Sequence, residues 1–242
     1  MKITKLLKKN IFFGILVILI MIVISIILKY DVEGEKTLPY SISRMLLVST
    51  VDGERIDDIE NIWNIKISQI NDLYIYIDNT SNTKETIKQI TIENFSIKKR
   101  PNKGEVKILR PTGDLDKLYT YSEQNYLNDK ITYAGSEVND LKLLEISNNG
   151  GIVGFRIELE NIDSYISNSE TEIIYDGSLL SNLGITIEEI KLDLSFDIII
   201  ETSEKINYKG TVNVSTPINT IIEQGSANAE ITDFEDVVFK RI

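Results

Sequence analysis

The chain has 242 residues, 42% hydrophobic and 26% charged, the balance of a globular protein with a core to bury. It holds no histidine and no cysteine, which excludes Ser-His-Asp and Cys-His catalysis, histidine acid–base chemistry, the usual zinc sites, disulfides and lipid attachment through cysteine. All 37 acidic residues follow Tyr30 while four of the 26 basic ones precede residue 11, so residues 29–242 carry a formal charge of −15, which repels phosphate backbones and argues against a nucleic-acid partner.

Ile11 to Leu28, IFFGILVILIMIVISIIL, is apolar almost without interruption. Eighteen helical residues at about 1.5 Å each span roughly 27 Å, close to the bilayer's hydrocarbon thickness of about 30 Å. Lys29 can snorkel and extends the expected transmembrane helix to 11–29. The run exceeds the apolar region of a cleavable signal, about 7–15 residues, and the following ILKYDVEGEK offers no small-x-small site. An uncleaved anchor is therefore expected, with the lipid bilayer as the partner of residues 11–29. Lys2, Lys5, Lys8 and Lys9 precede it, and Asp31, Glu33 and Glu35 follow it. The positive-inside bias then makes 1–10 a cytoplasmic tail, 30–40 a stalk closed by Pro39, and 41–242 an extracytoplasmic domain at the cell membrane.

Beyond the stalk, apolar and polar residues alternate with period two, the mark of half-buried strands. Arg44–Val51 reads as a strand buried through Met45-Leu46-Leu47-Val48 and ended by Asp52-Gly53. Trp63, Ile65 and Ile67 and then Leu73, Ile75 and Ile77 read as the two strands of a hairpin. Ile90 and Ile92 open another strand, whose apolar side switches before Phe95, so a β-bulge is expected near Asn94. Val106–Leu109 is a short strand stopped by Pro111. Residues 112–135 read as a long surface loop with a turn of helix, where a boundary between two small sandwiches could fall. Leu144 and Ile146 lead through Asn148-Asn149-Gly150-Gly151 into the alternating Val153, Phe155, Ile157 and Leu159, a hairpin signature. Ser178–Ile190 reads as one or two helical turns, with a capping box at Thr186. Leu192–Ile200 and Ile206–Val214 form the clearest hairpin, read with Ile198 opposite Tyr208 and Asp197 opposite Lys209. Val237–Ile242 reads as a last strand. The expected fold is mainly β: a transmembrane helix, then an antiparallel β-sandwich of immunoglobulin-like style with one or two short helices.

Chemical motifs are sparse. Asp52, Glu54, Asp57, Asp58 and Glu60 crowd one loop and Asp114 and Asp116 another, but calcium needs six to eight oxygens and the EF-hand spacing is absent. Glu158 and Glu160 share a strand face about 7 Å apart, inside the range of paired glycosidase carboxylates, yet outward carboxylates occur on any half-exposed strand. Tyr119, Tyr121, Tyr126 and Tyr133 could stack sugars or close a core. Gly150-Gly151-Ile152-Val153-Gly154 is followed by no helix and so holds no phosphate. Lys98, Lys99, Arg100 and Lys103 form the basic patch of the outer part, able to meet anionic lipid or wall polymer, though solvated strand ends carry such charges too. The sequence thus names no catalytic, cofactor-binding or metal residue.

At DLYIYIDN, IKQITIENFSI, NNGGIVGFRIELEN and ITDFEDVVFKRI the chain resembles uncharacterised single-pass membrane-spanning proteins of clostridial-type low-GC bacteria. Those segments are strands and turns; the resemblance implies an anchor and a β domain and brings no activity. The expected function is that of a tethered binding or envelope-assembly module, not an enzyme, meeting a protein or cell-envelope partner. A carboxylate-dependent envelope hydrolase and a calcium-responsive surface sensor are the alternatives.

Overall fold

A computed structural model describes residues 14–27, 40–56, 63–79, 86–114, 117–134, 146–147, 150–167, 178–234, 236–237 and 239–242. Alternating side chains turn most of this chain into antiparallel strands, and the inward members of each strand form a single core.

Two sheets make up the sandwich. The first runs in the order β12 (Ser226–Ile231), β1 (Tyr40–Arg55), β2 (Trp63–Asn79), β9 (Gly150–Ser167), β4 (Glu105–Leu109), with β8 (Ile146–Ser147) also pairing with β9. The second runs β13 (Lys240–Arg241), β11 (Asn207–Thr216), β10 (Leu192–Thr202), β3 (Ile87–Lys99), β7 (Ile131–Ala134). A separate ribbon pairs β5 (Pro111–Asp114) with β6 (Lys117–Tyr121). Residues from both sides of 112–135 enter the same core, among them Ile108 and Leu194. Phe155 of the first sheet meets Phe95 and Phe196 of the second, with ring centroids 5.3 and 5.1 Å apart in edge-to-face geometry. Tyr133 of β7 donates its hydroxyl hydrogen bond to the Gly154 carbonyl across the same gap.

Residues 14–27 are α-helical (α1), and every side chain on them is exposed. Among the described residues, no helix is long and apolar enough to cross a membrane. Positions 11–13, 28 and 29 of the expected span lie outside the described residues, as do the tail 1–10 and stalk positions 30–39.

Several expectations are corrected. Residues 63–79 are not a hairpin but one 17-residue strand, β2. The polar stretch between its two apolar halves does not turn: Gln69 and Asn71 face inward and are fully buried. Strand β1 continues through Asp52-Gly53 to Arg55. In β1 only the Met45 and Leu47 half of the apolar run is buried, while Leu46 and Val48 lie on the outer face. The stretch 112–135 holds β6, β7 and most of β5 instead of a helical loop. In the β10–β11 hairpin Ile198 pairs with Gly210 and Ile200 with Tyr208, two residues away from the expected register. The last strand is only the pair Lys240–Arg241; Phe239, just before it, is held by packing, its ring 3.0–3.1 Å from where a Cβ on Gly210 would sit.

Other expectations match. The bulge lies at Asn94, with φ of 57°, where Asn94 and Phe95 of β3 stand opposite Phe196 alone of β10. Helices α2 (Leu179–Asn182) and α3 (Ile187–Ile190) are single turns, and the Glu189 carboxylate accepts hydrogen bonds from the backbone N–H and the hydroxyl of Thr186 at 2.8 and 2.9 Å. Helix α4 (Ile221–Gln224), closed by Gly225 at φ 66°, has no counterpart in the sequence reading.

Candidate functional site

Strand alternation puts a second row of side chains on the outer face of the first sheet. Register places Arg44, Tyr76 and Ile152 in one row, Leu46, Tyr74 and Gly154 in the next, then Val48, Asp72 and Arg156, then Thr50, Ile70 and Glu158. The guanidinium of Arg44 lies 4.0 Å over the Tyr76 ring and 3.4 Å from Glu230. Leu46, Val48, Tyr74, Tyr76 and Ile152 are all half-buried there, an apolar and aromatic strip on a face that is not the core.

One side of this strip is built over by the β5–β6 ribbon. Tyr121, at the end of β6, covers the Arg156 guanidinium at 3.7 Å. Arg156 in turn grips Asp72 with two parallel bonds of 2.7 and 2.9 Å, the planar fork matching the carboxylate. Burial works against the Arg156 charge, but the bond and the charge of Asp72 outweigh it and hold its pKa above the usual value. Burial first, and the neighbouring Asp72 charge second, push the Tyr121 phenol well above its ordinary range. A stacked cation clamped by a carboxylate fixes the ribbon on the sheet.

Glu158 and Glu160 do share this face, and their pKa values are driven apart. Glu160 accepts a bond from Lys107 and another from Lys66 at 3.0 Å, and these lysines lower it. Glu158 is raised, chiefly by burial and then by the charge of Glu160. A raised carboxyl loses stability as pH climbs through its folded pKa, because only the folded state burdens the charge. Glu158→Gln is therefore expected to raise the melting temperature at pH 7. The gain over wild type should fade as pH falls through the raised value toward the ordinary carboxylate range. For Glu160 the sign is reversed: its contribution is present above the ordinary range and lost as pH falls through its depressed pKa. Melting curves of Glu158→Gln and of Glu160→Gln between about pH 3 and 8 check the two signs.

The other residues singled out by the sequence are dispersed. Asp52 and Glu54 are exposed on β1, and Asp57, Asp58, Glu60 and Asp116 lie outside the described residues. Among the described residues, no group of three metal-ligating side chains converges. Tyr133 is core, and Tyr126 packs against it. Gly150 and Gly151 open β9 and pair with β8. In the basic patch, Lys99 is paired with Glu188 at 2.7 Å and Lys103 with Asp163 at 2.8 Å. Asp72, Arg156 and the role of Tyr121 were missed; the only sequence signal was an arginine at an outward position between Phe155 and Ile157.

Comparison with protein-family models, with curated proteins and with solved structures finds no match to the chain.

Proposed function

We propose that the chain is a single-pass membrane protein that holds an immunoglobulin-like sandwich outside the membrane as a binding or envelope-assembly module. The anchor reading draws on the apolar run 11–28, on the lysines before it, and on the exposure of every side chain of α1. A soluble domain does not leave so much contiguous apolar surface in water. The immunoglobulin-like reading draws on strand order: β1-β2-β9-β4 against β11-β10-β3 follows the A-B-E-D and G-F-C order of that fold. Strands β12, β7 and β13 extend its edges.

The observation that carries the binding reading is the outer face of the first sheet. Tyr74, Tyr76, Leu46, Val48 and Ile152 lie beside Arg44, and tyrosine and arginine over an apolar patch are the residues that concentrate binding energy. A photo-crosslinking residue placed at Tyr76 in the membrane-embedded chain is expected to capture one discrete protein, whereas one at exposed Asn213 on the opposite sheet is not. Equal capture at both positions, or none at Tyr76, overturns the reading. Protease treatment of spheroplasts that spares residues 51–242 overturns the placement outside.

A hydrolase is the second reading, favoured by the opposed shifts of Glu158 and Glu160, the pattern of an acid–base pair. Glu160 is committed to two lysines, however, which leaves it poorly placed to attack or to activate water. Turnover of cell-wall glycan by the purified chain, abolished by Glu158→Gln, is the result that favours this reading over the first.

A further inference from the structure

We infer that a depression beside the β3 bulge is a binding site for an uncharged or amino-substituted saccharide. The bulge turns Asn94 out of the strand at φ 57°, a strained conformation for a non-glycine residue in mid-strand. What pins it is Asp197 of β10, which accepts from the Asn94 amide at 2.8 Å, from the Thr211 hydroxyl at 2.6 Å and from Lys209 at 2.8 Å. Facing Asn94 is the turn Leu127–Lys130, itself braced. Tyr126 N–H bonds the Ile108 carbonyl at 2.7 Å, and the Asp129 carboxylate accepts from Gln124 and from the Lys130 backbone at 3.0 and 2.8 Å.

Between bulge and turn lies a depression of about 380 Å³, within the range of about 300–1,000 Å³ typical of small-ligand sites. Phe95 and Leu127 supply its apolar part, and Glu93, Asn94, Asn128, Asp129 and Lys130 its polar rim. Two carboxylates, two amides and one ammonium around an apolar floor give donors and acceptors for neighbouring hydroxyls and a surface for a sugar's C–H face. The rim carries two negative charges against one positive, in a chain whose residues 29–242 already carry −15, which disfavours phosphorylated and carboxylated ligands. A largely polar rim disfavours a lipid or an aromatic drug-like molecule. What remains is a neutral or amino-bearing polyol of one or two rings.

The site lies on the second sheet, away from the Tyr74–Tyr76 face, so the two can fail separately. The test uses the full chain, isotopically labelled, in a detergent without a sugar headgroup. It is titrated to 20 mM with a panel of hexose, hexosamine and N-acetylhexosamine di- and trisaccharides. Saturable amide shifts at Asn94 and Leu127–Lys130 are expected for at least one member, weakened tenfold or more in Asn128→Ala and Glu93→Ala. Asn128 is exposed, so its variant keeps the fold, and retained spectral dispersion verifies this. No saturable shift with any sugar of the panel overturns the inference. So do shifts confined to other residues, or affinities unchanged in both variants.

Discussion

Phe155→Ala is expected to destabilise the sandwich by about 3–5 kcal/mol, the usual cost of removing a large buried ring. Phe155 is 1% exposed, and it is the point where the two sheets touch through aromatic rings, edge-on to both Phe95 and Phe196. Each such pair adds about 0.5–1.5 kcal/mol beyond area burial, and the hole lies between two sheets that the surrounding buried side chains hold apart. Against a typical total stability of about 5–15 kcal/mol the loss is severe. For a domain of this size it corresponds to a fall of roughly 6–20 °C in melting temperature. Phe155→Leu keeps part of the volume and loses only the ring contacts, so it should fall clearly short of the alanine variant. Denaturation of the purified chain, followed by tyrosine near-ultraviolet signal, measures both. An alanine loss below about 1 kcal/mol, the scale of an ordinary substitution, would mean that the sheets are not joined at this point.

Much of that core was legible because inward residues at period two are a direct record of burial. Leu192, Leu194, Phe196, Ile198 and Ile200 fall on one face by their period-two spacing, and all are buried. The bulge at Asn94 was legible for the same reason, since a switch of apolar side within one strand has few other causes. Register was not. A slip of two residues leaves every side chain on its proper face, so hydrophobic pattern cannot distinguish Ile198 opposite Tyr208 from Ile198 opposite Gly210. The turn decides it, through Lys205 at φ 63° and the Thr202 N–H bonded to the Ile206 carbonyl. Asp197 still reaches Lys209, diagonally, at 2.8 Å.

The outer-face site was hidden for a different reason. Asp72 and Arg156 are 84 residues apart, and Tyr121 reaches them from a ribbon whose two short strands pair only with each other. No local pattern encodes such a meeting. The depression at Asn94 was half legible: the bulge could be placed, but the turn that faces it comes from a stretch whose polar residues read as solvated loop.

Asn71→Leu is the second large effect expected, and its site is the buried polar stretch that gives β2 the sequence pattern of a hairpin. Gln69 and Asn71 sit on the inward face in line with Leu73 and Ile75, where an apolar side chain would ordinarily stand. They are tolerated because they satisfy one another. Asn71 accepts from the Ser49 hydroxyl at 2.7 Å and from the Gln69 side-chain amide at 2.8 Å, and it donates to the Gln69 Oε1 at 2.8 Å. Gln69 also donates to the Ile70 carbonyl, and Ser49 accepts from the Ile218 N–H at 3.2 Å. Leucine at 71 removes the hub and leaves the Ser49 O–H proton without an acceptor and one Gln69 side-chain N–H and the Gln69 side-chain oxygen without partners. At about 1–3 kcal/mol for each buried group left unsatisfied, partly relieved by relaxation, a total of roughly 3–5 kcal/mol is expected. Replacing all three residues together, Ser49→Ala, Gln69→Leu and Asn71→Leu, should recover most of that loss. The Ile218 N–H would then remain without its Ser49 acceptor, and the Ile70 carbonyl would lose the Gln69 donor. The triple variant should also be less particular about its structure. A slip of two residues between β1 and β2 would set Ser49 against Leu73 or Gln69 and break the network, so the network penalises the one error that hydrophobic pattern allows. Chemical denaturation of the single and triple variants tests the energies, and a single-variant cost below about 0.5 kcal/mol, the range of a surface change, would show that these polar groups do not depend on one another. Amide exchange along β1 tests the register: it should quicken in the triple variant even where overall stability has returned.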